Sequence, residues 1–112
     1  MRTEIHFHTE DTDILQGEEK KDYSGEISIK GTNATIRRTC LTQDHNKAGG
    51  TSYVINCIID GEIEEIDKIA EWIYLKIKDK VRKITVGDFR GACEYANFEK
   101  EEIIRLLNKW MK

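Results

Sequence analysis

Between Thr3 and Thr9 the chain alternates, with Ile5 and Phe7 in one phase and Glu4, His6 and His8 in the other. A period of two predicts a β-strand with one buried face. Residues 10–24 (EDTDILQGEEKKDYS) are acidic and polar, anchored only by Ile14, Leu15 and Tyr23, and predict a long connection. Two strand-like runs follow, Glu26–Lys30 and Ala34–Leu41, joined by KGTN, a hairpin signal. After a longer turn, TQDHNKAGG, Ser52–Ile59 (SYVINCII) is rich in β-branched and aromatic residues. Apolar residues occupy both of its faces, the pattern of a central strand covered on each side.

Near Asp60 the period changes. Ile63, Ile66, Ile69, Ala70, Ile73 and Ile77 follow helical spacing and predict a helix over 62–80, with Trp72 and Leu75 off its main stripe. Acids crowd its first turn and Lys76, Lys78 and Lys80 its last, the arrangement a helix dipole favours. A second helix is predicted over 98–111, where Ile103, Ile104, Leu106, Leu107, Trp110 and Met111 form a wide apolar arc. The expected fold class is α+β: a small antiparallel sheet of about four strands followed by two C-terminal helices packed on one face. The chain reads as one domain over 1–112, β-rich to residue 60 and helical from 61.

The segment between the helices is open to two readings. Ile84–Phe89 adds a fifth strand, pairing with Ala92–Tyr95 as a hairpin, or it opens a short middle helix. In the second reading ITVGDFRGACEYANFEKEEIIRLLNKW supplies a threonine start, hydrophobic spacing and a turn at Ala96-Asn97. Helices over 62–80, 86–95 and 98–111 would then resemble the tri-helical core of winged-helix domains. That resemblance implies a DNA-binding regulator whose last helix enters the major groove. Phe98-Glu99-Lys100-Glu101-Glu102 would then push three carboxylates at a polyanion, and no residues remain for a wing.

Composition narrows the field. At 112 residues the chain is long enough to bury its own core, and with 38% hydrophobic and 35% charged residues it is polar but globular. The formal net charge of −3 gives no basic footprint for nucleic acid, which is therefore not the expected partner. No apolar run approaches the ~20 residues of a membrane span, and MRTEIHFHTED has no hydrophobic signal core, so a cytoplasmic location is expected. Three cysteines without a CxxC spacing argue against a disulfide framework or a zinc knuckle.

Candidate chemistry is sparse. His6 and His8 share one strand face and would need His45 or a loop carboxylate to complete a metal site; two histidines on a solvent face are the plainer reading, and no metal or other cofactor is expected. Cys40 and Cys57 lie on neighbouring predicted strands, either paired or as two small buried thiols, and Cys93 is unassigned. No nucleophile elbow, P-loop, HExxH or EF-hand pattern occurs, so an enzyme is not expected. The paired carboxylates sit on predicted helix surfaces, and the basic run Lys76, Lys78, Lys80, Arg82, Lys83 satisfies a helix end or touches phosphate. The best ligand candidate lies in TIRRTCLTQDHNKAGGTS. Arg37 and Arg38 project to opposite faces, and Asn46, Lys47 and Gly49-Gly50 supply a cation and flexible amides for an anion. Arg105 and Lys109, four apart on one helix face, could clamp a phosphate.

The helices carry more apolar surface than a two-layer monomer needs, with Trp72, Leu75, Leu106 and Trp110 as interface candidates. The leading expectation is a non-enzymatic binding protein that sequesters or blocks a partner or ligand, acting as a homo-oligomer. Small phage and plasmid accessory proteins, including inhibitors, are similar to it in size and style. The alternatives are a small-nucleotide or anion binder using Arg37/Arg38 and Arg105/Lys109, and the winged-helix regulator.

Overall fold

The computed structural model describes residues 1–11, 14–15, 25–45, 51–87, 93–96 and 99–111. Among the described residues there are six strands: β1 (Arg2–Thr9), β2 (Ile27–Ser28), β3 (Thr35–His45), β4 (Thr51–Asp60), β5 (Val81–Gly87) and β6 (Cys93–Ala96). They form one antiparallel sheet in the order β2-β3-β4-β1-β5-β6. Helix α1 (Ile66–Ile77) follows a 3-10 turn at Ile63–Glu65, and α2 (Lys100–Trp110) follows β6. The architecture is the expected α+β class, with both helices on one face of the sheet.

The alternation in β1 is realised as read. Thr3, Ile5, Phe7 and Thr9 are buried beneath the helices, while Glu4, His6 and His8 lie half-buried on the other face. Registry carries that division across the sheet: Ile5 sits between Cys57 and Val86, and Phe7 between Ile55 and Ile84. The two buried threonines are satisfied by backbone oxygens, Thr3 Oγ1 donating to Gly87 O (3.2 Å) and Thr9 Oγ1 to Lys80 O (2.5 Å). Helix α1 completes the core with Ile66, Ile69, Ala70, Ile73 and Ile77, and α2 with Ile103, Leu106 and Leu107.

The KGTN hairpin forms. Gly31 takes φ +85°, a left-handed conformation open to glycine, and Ile29 N donates to Ala34 O across the turn (3.0 Å). Asn33 N donates to Glu65 (3.0 Å), tying this hairpin to the start of α1. Gly61 is required for a different reason. A Cβ there would lie 2.8 Å from Ala34 Cβ and 3.1 Å from Ile69 Cδ1, so the sheet and α1 meet at a point without room for a side chain.

The structure refines two expectations and decides a third that was open. The sheet has six strands rather than about four, although β2 is only two residues long. The region after residue 60 is not purely helical, because β5 and β6 stand between the helices. Of the two readings of the segment between the helices the strand one holds: residues 81–87 and 93–96 are strands paired with each other, and the tri-helical arrangement is not formed among the described residues. The reason is tertiary. Val81, Ile84, Thr85 and Val86 are β-branched and pair with the inner strand β1, so β5 is buried on both faces near its end and lacks the alternation of a surface strand.

Candidate functional site

Arg105 and Lys109 do lie together, one turn apart on α2, but the chain already supplies their anion. Glu94 of β6 pairs with Val86 in register, which turns its side chain toward the helix layer. Arg105 Nη1 contacts Glu94 Oε2 at 3.2 Å, Lys109 Nζ pairs with Glu94 Oε1, and Arg105 Nη2 meets Glu102 Oε2 at 3.0 Å. The hydrogen bonds from Lys109 and then Arg105 hold the Glu94 carboxyl below its usual range. Arg105 is pushed up, chiefly by its hydrogen bond with Glu102 and next by that with Glu94. This cluster staples the edge strand to α2.

Arg37 and Arg38 face opposite sides of the sheet, as read: Arg37 pairs with Ile58 on the face away from the helices, Arg38 with Cys57 on the helix face. They therefore cannot converge on one anion. Three strands separate β3 from β6, so at a strand spacing of about 4.8 Å the arginine-bearing strand lies roughly 19 Å from the edge strand whose Glu94 holds Arg105 and Lys109. Lys47, with Asn46, Gly49 and Gly50, lies outside the described residues.

His6 and His8 share a face as predicted. His6 Nε2 lies 3.6 Å from Glu4 Oε2, and His8 Nε2 shares a hydrogen bond with Thr85 Oγ1 at 2.8 Å. Among the described residues no group of three ligating side chains could hold a metal, and the His45 side chain is outside that set.

Cys40 and Cys57 are both free thiols. Cys40 lies opposite Asn56, whose Nδ2 donates to Sγ at 2.7 Å, while Cys57 faces the core. Symmetric pairing about the Lys47–Gly50 turn would have matched the two cysteines; the hairpin instead pairs His45 with Thr51, one residue out of that register, and so sets the cysteines on opposite faces. Burial pushes the Cys57 thiol up to about 12, against the lowering influence of Arg38. It is a core side chain, protonated at neutral pH.

The four apolar interface candidates divide. Leu106 is fully buried between the helices and the sheet, so it cannot serve a partner. Trp110 is half-buried against the core, with Lys109 Nζ 5.7 Å from its ring. Trp72 is half-buried and Leu75 is 57% exposed, together on the outer face of α1. With Lys30, Lys68 and Glu71 they line an open groove of about 270 Å³. Lys30 arrives from the β2–β3 hairpin, a contribution that helical spacing could not reveal. A second depression, about 380 Å³, is lined by Met1, Glu26, Asn33, Thr35, Asp60, Gly61 and Glu62 and is polar and acidic.

The fold and this surface define an α+β two-layer sandwich with an apolar groove on its helix layer. No protein-family model, curated protein or solved structure matches the chain. No described helix is long and apolar enough to cross a membrane.

Proposed function

We propose that this is a non-enzymatic binding protein that works by occupying a protein partner through the outer face of α1. The observation that carries the reading is the exposure of Leu75 beside Trp72 in a groove rimmed by lysines and a glutamate. A large apolar side chain in water beside an aromatic, ringed by charge, is the composition of an interface centre and its rim. The anion-binding alternative draws less support, because Glu94 occupies Arg105 and Lys109 and the two β3 arginines diverge. Catalysis by thiol draws little, because Cys57 is buried and protonated and Cys40 has an amide rather than a base beside it.

The test is photo-crosslinking in the cell. A benzophenone amino acid replacing Leu75 should give a discrete adduct with another polypeptide, while the same group replacing the exposed Thr39 should not. Absence of any adduct at position 75, with the protein expressed and folded, overturns the reading.

A further inference from the structure

We infer that the occupant of the α1 groove is a second copy of this chain, its α1 lying antiparallel across a two-fold axis that passes between Ile73 and Tyr74. The inference rests on the binding reading above and names its partner. The argument comes from the order of residues along the outer stripe of α1. Lys68, Trp72, Leu75 and Asp79 recur at spacings of four, three and four, the seam of a paired helix. The turn after α1 continues this trace: Lys78 has right-handed helical angles, Lys78 N donates to Tyr74 O (3.0 Å) and Lys80 N to Ile77 O (2.9 Å).

An isologous interface brings residue i of one copy against residue j of the other, and j against i. With the axis between Ile73 and Tyr74, Trp72 meets Leu75 of the second copy, and Lys68 meets Asp79 of the second copy. Each contact occurs twice. On the flank of the stripe, Glu71 comes beside Lys78 of the second copy. Each of these charged pairs joins opposite signs, and the apolar pair lies at the centre. Within one chain these charges are largely uncommitted. Lys68, Lys78 and Asp79 make no ion pair among the described residues, and Glu71 reaches only Lys100, at 4.0 Å. A parallel arrangement would set the acidic start of α1 against the acidic start of its copy, and the lysine-rich ends likewise.

The interface is small. Twelve residues at about 1.5 Å rise give a contact about 18 Å long, short of the roughly 800 Å² per partner of a standard interface. The dimer therefore forms and dissociates with concentration.

The experiment is light scattering and sedimentation equilibrium over a concentration series. Wild-type protein should pass from 13.0 kDa toward twice that mass as concentration rises. Leu75→Asp should remain monomeric with an unchanged circular dichroism spectrum, since Leu75 supports no core contact. Lys68→Asp and Asp79→Lys should each weaken the dimer roughly tenfold, because each creates two like-charge contacts. The double variant Lys68→Asp/Asp79→Lys should recover wild-type association. A wild-type chain that stays monomeric throughout, or a double variant no better than either single one, overturns the antiparallel pairing. In the first case an adduct between position 75 and a foreign polypeptide would leave the binding reading standing, and no adduct would end both.

Discussion

Ile73 and Leu75 are two positions apart on α1 and meet opposite surroundings, one fully buried and the other 57% exposed. Ile73→Ala should therefore cost about 2–5 kcal/mol in urea unfolding, by lost transfer energy and the cavity left behind. Leu75→Ala, measured at dilution, should stay within about 0.5 kcal/mol of wild type. Gly61→Ala tests packing in the other sense. Its new methyl meets Ala34 Cβ at 2.8 Å, and overpacking of this kind costs about 1–3 kcal/mol, seen as a lower unfolding midpoint. The thiols offer a further contrast. Cys40 should react with a thiol reagent in the folded protein, and Cys57 only on unfolding, as peptide mapping after alkylation would show. A mapped Cys40–Cys57 disulfide would contradict the register of β3 and β4.

At the scale of elements, the staple between β6 and α2 makes a pH-dependent contribution whose sign follows from Glu94. Its folded-state pKa is lowered, so the stabilisation is present above the unfolded value of 4.5 and is lost as pH falls through the lowered one. Glu94→Gln should lower the thermal midpoint near neutrality and narrow the difference from wild type as the solution is acidified. An equal difference at every pH would show that the carboxylate charge is not what matters. Both helices and β1 were legible because their faces are cleanly divided, so period alone identifies them. β5 was ambiguous because a strand buried on both faces shows neither period. The pairing of Glu94 with Arg105 and Lys109 was hidden for a related reason: a cation pair four apart on a helix looks the same whether it awaits a ligand or an edge strand. The one-residue offset of the β3–β4 register leaves no composition signal, and it sets Cys40 opposite Asn56 rather than Cys57.

Over the whole molecule, the helix-turn-helix pattern in the last third of the sequence becomes two strands and a helix, and the net charge is −3. Duplex DNA should accordingly show no mobility shift with this protein at low salt, where electrostatic binding is strongest. A salt-sensitive complex would require a basic surface that the fold does not assemble around α2, whose first turn carries Glu101 and Glu102. The α+β class was legible from the change of period near Asp60; the strand order was not, because it depends on where β1 inserts. β1 lies between β4 and β5, joining β2-β3-β4 to β5-β6. That placement orders events during synthesis. Strand β1 is made before either neighbour and is among the last of these strands to find both, because β5 ends 78 residues after Thr9. At about 5–20 residues per second the ribosome takes roughly 4–16 s over that stretch. Through that interval Ile5 and Phe7 lack the sheet that will enclose them, and the nascent chain is most exposed to misassembly before its final strand pair is made.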